Sequence, residues 1–129
     1  MQKLSYVIPC YRSEHTLPDV VAEITAKMKT LPRYSYEIIL VNDCSPDDTI
    51  GTIRRLVAAD AHVQGVDLAR NFGQHAALMA GFHQCSGDVI VCLDDDGQTP
   101  ADEVDRLLER IEAGYDVVYA RYDNKKQAG

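Results

Sequence analysis

Four cysteines, Cys10, Cys44, Cys85 and Cys92, make no CxxC pair, and the histidines at 15, 62, 75 and 83 make no HxxxH or HExxH pattern. Neither motif is there to build a zinc site. No secretory leader precedes the cysteines, so they are expected to be reduced, partly buried thiols of a cytosolic protein. No run of about 18 apolar residues occurs, which excludes a membrane-spanning helix in this stretch. No GxGxxG and no GxxxxGK[ST] follows any apolar segment, so the dinucleotide fingerprint and the P-loop are both absent. Positive charge is short as well: 13 Lys and Arg stand against 20 Asp and Glu, a net charge of −7. That balance argues against nucleic acid or an anionic membrane surface as the main partner. It leaves room for a local phosphate site, especially one that recruits a divalent metal.

What is present reads as one globular domain. The 129 residues are 46% hydrophobic and 26% charged, with no internal repeat, linker or low-complexity tract. Leu4 to Ile8 is a short apolar strand stopped by Pro9. Thr16-Leu17-Pro18-Asp19 opens a helix whose apolar face is Leu17, Val20, Val21, Ile24, Met28 and Leu31, and Pro32 ends it. Tyr36 to Val41 is a second strand ending at Asn42-Asp43. Ser45-Pro46-Asp47-Asp48 reads as a cap with proline at the first helical position, and Ile50, Ile53, Leu56 and Val57 then face the core.

Val63 to Leu68 is a weaker third strand, and Gln74 to Gln84 a helix lined by Ala76, Ala77, Leu78, Ala80 and Gly81. Those small residues suggest close approach to a sheet. Val89 to Leu93 is a fourth strand, Pro100 to Ala113 a helix stopped by Gly114, and Asp116 to Arg121 a fifth strand. Strand–helix alternation of this kind implies an α/β fold, Rossmann-like: a mainly parallel sheet with helices on both faces.

The fourth strand organises the chemistry. Val89-Ile90-Val91-Cys92-Leu93 runs straight into Asp94-Asp95-Asp96. At about 5 Å and an effective dielectric of about 20, each like-charge pair costs roughly 3 kcal/mol before relaxation. A cation relieves that repulsion, and carboxylate oxygens suit hard Mg²⁺, Mn²⁺ or Ca²⁺. The alternative is a solvated turn dressing the next helix. That helix has its own start in Thr99, Pro100 and Asp102, which leaves the three acids upstream on the strand-end loop.

Parallel strands put Pro9-Cys10-Tyr11, Asn42-Asp43 and Asp94 to Asp96 on one sheet edge, where ligands of open α/β sheets bind. A carboxylate such as Asp43 can accept the ring N–H of a nucleobase, while an acidic cluster with metal holds the phosphates. Together they fit a nucleoside diphosphate. The competing reading of Asp43 is that it joins the Ser45 cap region and shapes a turn.

These residues carry a resemblance over nearly the whole chain. Val7-Ile8-Pro9-Cys10-Tyr11, Leu40 to Thr49, Arg70-Asn71-Phe72-Gly73 with Ala76, Ala77 and Gly81, and Leu93-Asp94-Asp95-Asp96-Gly97-Gln98-Thr99-Pro100 come in the order of four motifs. They resemble the N-terminal, nucleotide-sugar-binding half of family-two glycosyltransferases of the GT-A fold, most like the branch that transfers a sugar to polyprenyl phosphate. The resemblance implies that Asp43 holds the base with Pro9, Tyr11 and Glu14 around it. Asp94 then lies near the ribose or metal, Asp96 and Gln98 ligate Mg²⁺ or Mn²⁺, and Asp95 occupies the variable middle of the DxD motif.

It also implies transfer from a UDP- or GDP-linked sugar, with inversion at the anomeric carbon, to an acceptor such as a lipid phosphate used for cell-envelope polysaccharide. The expected location is cytoplasmic, with the full-length protein at the cytoplasmic face of a membrane. Arg12-Ser13 stands where relatives often have Asn-Glu, and Asn42 replaces the first of two acids, so uracil and guanine both stay open. Residues 1–129 are expected to form a single donor-binding domain cut before the acceptor half and its catalytic residues, and inactive by itself. The other open reading is a non-catalytic nucleotide-binding module. A receiver domain needs acids after the first strand and a lysine ending the fifth, and neither is present. A DxDx[TV] phosphatase needs Thr or Val where Gln98 stands.

Overall fold

Successive side chains of a strand point to opposite faces, and in Leu4–Cys10 every one of them is buried. In the computed structural model, which describes residues 2–93 and the backbone of Val118–Tyr119, this segment belongs to the central strand β1 (Gln2–Cys10). After it come α1 (Leu17–Lys29), β2 (Tyr34–Asn42), α2 (Thr49–Ala59), β3 (Val63–Asp67), α3 (Gln74–Gln84), β4 (Val89–Cys92) and β5 (Val118–Tyr119). All pairings are parallel and the strand order is β3-β2-β1-β4-β5. The α/β sheet expected from the sequence is thus the one found. The expected acids at 94–96, the helix from Pro100 and the rest of the fifth strand lie outside the described residues.

β1 pairs with β2 from Gln2↔Tyr34 to Cys10↔Asn42, and with β4 from Leu4↔Val89 to Val7↔Cys92. The chain steps from β1 to β2 to β3 with α1 and α2 on one face, then α3 carries it back across the other face to β4. A single crossover hand requires that change of face when the direction reverses. The reversal falls between β1 and β4, so the crevice expected of an open sheet opens there.

On one face Leu4, Tyr6, Ile8, Ile38 and Leu40 pack beneath Leu17, Val20, Ile24 and Met28 of α1 and Ile53 of α2. On the other, Val7 and Cys92 meet Leu78, and Ile39 and Val41 meet Ala77. Each such large apolar side chain contributes about 1.5–3 kcal/mol when buried. Helix α1 has a proline in its first turn with Asp19, and Lys27 and Lys29 in its last, charges that complement the helix dipole.

Several boundaries and faces differ from the sequence reading: β1 is not stopped by Pro9 but runs through it to Cys10. Helix α1 ends at Lys29 with Thr30 as C-cap, before Leu31, and β2 starts at Tyr34. Ser45 does not cap α2, which begins at Thr49. The Ser45 hydroxyl accepts the N–H of Arg12 at 2.8 Å and donates to Asp47, so it is used between loops. Val57 is 38% exposed and not part of the core. β3 is the edge strand, and Gly65 opposite Val57 brings no side chain to cover it.

The cysteines are all free thiols, with Cys10 and Cys92 buried, Cys85 half-buried and Cys44 exposed. Burial, with Cys85 adding to it, pushes the Cys92 thiol up to about 11. No helix among the described residues is long and apolar enough to cross a membrane.

Opposite the crevice edge, Glu37 is buried within β2. Its carboxylate accepts from Ser5 Oγ (2.6 Å), the Ser86 amide (2.7 Å) and hydroxyl (3.1 Å), and Gln64 Nε2 (2.9 Å), with Lys3 Nζ at 3.5 Å. One carboxylate thereby ties β1, β2, β3 and the α3–β4 turn together.

Candidate functional site

The β1–β4 ladder stops at Val7↔Cys92, with the Leu93 N–H donating to Val7 O at 3.1 Å. Pro9 is two residues further along β1 and has no N–H to extend that ladder. It is buried and, among the described residues, pairs with Val41 of β2. Among the described residues the β1–β4 pairs end before Pro9 is reached, so its missing N–H breaks no pair there, and the mouth of the crevice lies at this end of the two strands.

The loops after β1 and β2 are zipped together beside the mouth. The Asp43 N–H donates to Cys10 O (3.0 Å), the Ser13 N–H to Thr49 Oγ1 (2.9 Å) and the Asp48 N–H to Glu14 Oε1 (3.1 Å). Asp47 accepts from the Ser45 and Thr49 hydroxyls, the Thr49 amide and, at 3.4 Å, the Glu14 amide. Burial acts to raise the Asp47 carboxyl, but these four donors more than offset it and hold its pKa at about 2. Two residues in these loops, Arg12 (φ 55°) and Cys44 (φ 53°), adopt the left-handed conformation, each two positions past its strand end. Such backbone costs about 1 kcal/mol or more for a non-glycine residue, and both instances stand at the crevice edge.

The side chains singled out from sequence fall into three groups. Tyr11 is 42% exposed at the mouth, its amide on Ser13 Oγ (3.0 Å) and the Arg12 guanidinium 5.6 Å from its ring centroid. Glu14 is close by in the chain, but its carboxylate points to the start of α2. Asp43 is buried, and its carboxylate does not go to the Ser45 turn. Asn42 takes that role, accepting the Ser45 N–H at 3.2 Å and donating to Asp67 Oδ1 at 2.8 Å. Asp43 Oδ1 instead accepts the Phe72 N–H (2.9 Å) and Oδ2 the Gly73 N–H (3.1 Å). The sequence gives no sign of that link, because 29 residues separate the partners. Asp94, Asp96 and Gln98 lie outside the described residues, just after buried Leu93 at the end of β4. Among the described residues no three His, Cys, Asp or Glu side chains gather to hold a metal ion.

Comparison with known proteins agrees with this architecture. The family model described as Glycosyl transferase family 2 matches residues 5–129. Among curated proteins, the undecaprenyl-phosphate 4-deoxy-4-formamido-L-arabinose transferase of Pseudomonas fluorescens (strain SBW25) is 45% identical over 126 residues, 97% of this chain and 37% of its own length. The protein of the same name from Klebsiella pneumoniae (strain 342) is 40% identical over 129 residues, 99% of this chain and 39% of its own. The chain therefore spans less than two fifths of these relatives.

Among solved structures, the mannosyltransferase PcManGT from Pyrobaculum calidifontis, in complex with GDP-Man and Mn²⁺, aligns with a TM-score of 0.64 at 19% identity, covering 80% of this chain and 31% of that one. S. aureus TarS 1-349 in complex with UDP aligns at 0.62 and 21%, covering 83% and 32%. At these identities the two structures show the shared fold. Matched by the family model from residue 5 onward, and at 40% identity or more to relatives across nearly its whole length, the chain belongs to glycosyl transferase family 2.

Proposed function

We propose that these residues are the donor-binding domain of a transferase that moves a sugar from a nucleoside-diphosphate sugar to a polyprenyl phosphate. The observation that carries this reading is the crevice itself. The ends of β1, β2 and β4 open on one edge at the reversal point of the sheet, and three consecutive acids follow β4 in sequence. The named activity of the curated relatives supports the acceptor class. In this reading Pro9, Tyr11, Glu14 and Asp43 surround the nucleobase, Asp94 lies near the ribose, and Asp94, Asp96 and Gln98 hold Mg²⁺ or Mn²⁺. Such a cation supplies positive charge to the departing diphosphate.

The reaction is displacement at the anomeric carbon. A bond forms to an acceptor phosphate oxygen as the bond to the nucleoside diphosphate breaks, and the leaving group departs as an anion. A lipid phosphate is already ionised near neutral pH, so proton removal from the acceptor is not required. In this reading residues 1–129 supply the donor side of the site, and the acceptor side with its catalytic residues is supplied from elsewhere in the protein.

The test is nucleotide affinity by calorimetry, with UDP and with GDP, at saturating Mn²⁺ and in EDTA. Binding is expected with metal and lost in EDTA. Asp96→Asn should weaken metal-dependent binding about tenfold, on the order of 1.4 kcal/mol, while Asp95→Asn, which removes the same charge one residue away, should change it much less. Equal binding in EDTA would remove the metal from the reading. Equal losses in the two variants would reduce Asp94 to Asp96 to a diffuse negative patch.

A further inference from the structure

Asp43 is the node at which three strand ends meet. It ends the pairing of β2 with β1 through its own N–H on Cys10 O (3.0 Å), and it is 5% exposed. Both carboxylate oxygens are used on the loop that follows β3, one on the Phe72 amide and one on the Gly73 amide, which is shared with Asn71 Oδ1 at 3.1 Å. Gly73 is the N-cap of α3, has φ 94° and offers no side chain to cap the helix. A Cβ there would meet nothing within 4 Å, so backbone conformation and not crowding calls for glycine. Asp43 thus holds, from another strand, the amides of the two residues that precede the first turn of α3, Gly73 at the N-cap and Phe72 before it. The residue whose amide is fixed in this way, Phe72, has its own ring 58% exposed.

Resting on the donor-binding reading, we propose that Asp43 is a positioning residue for the Arg70–Gly73 loop, and that Phe72 on that loop is a base-contacting residue whose ring forms an apolar wall for the donor nucleobase. The sheet order gives the direction. The acids follow β4, so the diphosphate lies there, and the nucleoside extends across β1 toward β2 and β3. Neighbouring strands are about 4.8 Å apart, and two such steps from β4 bring the base to the end of β2, beside the loop Asp43 holds. An aromatic ring accepts any base on its π-face. A ring fixed at its backbone before the ligand arrives loses little freedom on binding. The wall therefore serves uracil and guanine alike.

Two measurements on this chain test the proposal. The first needs no ligand: amide hydrogen exchange by NMR. The Phe72 and Gly73 amides should be protected in the unmodified protein. Asp43→Ala removes both acceptors, and since the Gly73 amide keeps Asn71 Oδ1, it is the Phe72 amide that should exchange about tenfold faster while the residue-43 amide, on Cys10 O, keeps its protection. Unprotected Phe72 and Gly73 amides in the unmodified protein would overturn the positioning role.

The second is affinity for UDP and GDP at saturating Mn²⁺ in Phe72→Ala, Asp43→Ala and the double variant. Phe72→Ala should weaken both nucleotides about tenfold, and Phe72→Tyr should restore both. Asp43→Ala should add little once Phe72 is gone, because the two act in series. Fully additive losses would show Asp43 acting on the base independently of the loop, and an unchanged Phe72→Ala would remove the wall; either overturns the proposal. An unmodified protein that binds neither nucleotide overturns the donor reading and Phe72's contact with it. One that binds both while Phe72→Ala matches it leaves the donor reading standing and overturns this inference alone.

Discussion

Gly81 of α3 lies directly on Val7 of β1: a methyl group at Gly81 would overlap Val7 Cγ1 and stand 3.2 Å from Val41 Cγ2. Both valines are fully buried in the sheet and cannot swing aside. Gly81→Ala gains about 1 kcal/mol of helix propensity but overpacks a filled core, which costs about 1–3 kcal/mol. A net loss of about 1 kcal/mol is expected in the urea midpoint. Unchanged stability would mean that α3 can lift from the sheet without penalty.

Asp47 should make the loop zipper sensitive to acid. Its folded pKa of about 2 is below the ordinary 3.8, so its contribution is complete above about pH 4 and is lost as pH falls toward 2. For an unscreened group the gap corresponds to about 2 kcal/mol; Asp47 is only half-buried, so solvent screening reduces this to about 1 kcal/mol. Asp47→Asn should be less stable by about that amount at pH 7 and nearly equal to the parent near pH 2. Parallel stability curves for the two proteins across that range would show that the four donors do not favour the charged form.

Glu37 gives a second, independent acid effect at the other end of the sheet. Burial raises its carboxyl, but the Ser5 hydroxyl, the Ser86 amide and hydroxyl, and Lys3 more than offset that and lower it below the ordinary value. Its stabilisation is therefore present above the ordinary carboxylate range and fades below it. Glu37→Gln turns an N–H₂ toward groups that are themselves donors, and a loss of roughly 2–3 kcal/mol is expected. Nucleotide affinity should not change, because the network lies away from the strand ends that form the crevice. A fall in affinity at unchanged stability would tie Glu37 to the site instead.

These contacts differ in how far the sequence shows them. Gly81 is legible, since small residues at helical spacing are the mark of a close helix–sheet approach. The end of β2 is legible too, because its apolar run stops at Asn42-Asp43, whereas β1 continues through the Pro9 expected to stop it and ends at Cys10. Glu37 carries only a weak mark, one acid inside a buried run, and its partners come from three separate segments that no local spacing connects. The Ser45 cap was misplaced for a related reason: a Ser-Pro-Asp-Asp string fits a helix start, but its hydroxyl is taken by Arg12, 33 residues earlier. Local periodicity reports elements and faces. Side-chain bonds between loops depend on which strands become neighbours, and that is decided by the sheet.

Asn42 shows how such a bond can fix a residue choice. Its Nδ2 donates to Asp67 Oδ1 at 2.8 Å, across the β2–β3 register pair Asn42↔Asp67. An acid at position 42 would replace that donor with a second carboxylate. Asn42→Asp therefore loses a hydrogen bond and gains a like-charge contact, and Asp67 is exposed, so solvent screens part of the repulsion. A destabilisation of about 1–2 kcal/mol at neutral pH is expected. Two further measurements separate this from a general defect in the strand. Acid that protonates one of the two carboxylates restores a donor between them, so the deficit should shrink as pH falls through the carboxylate range. Asp67→Asn added to Asn42→Asp reverses the donor and acceptor, and should recover most of the lost stability at pH 7. If the double variant is instead as unstable as the sum of the two single ones, Asn42 is held by something other than Asp67, and the pairing does not explain the missing acid.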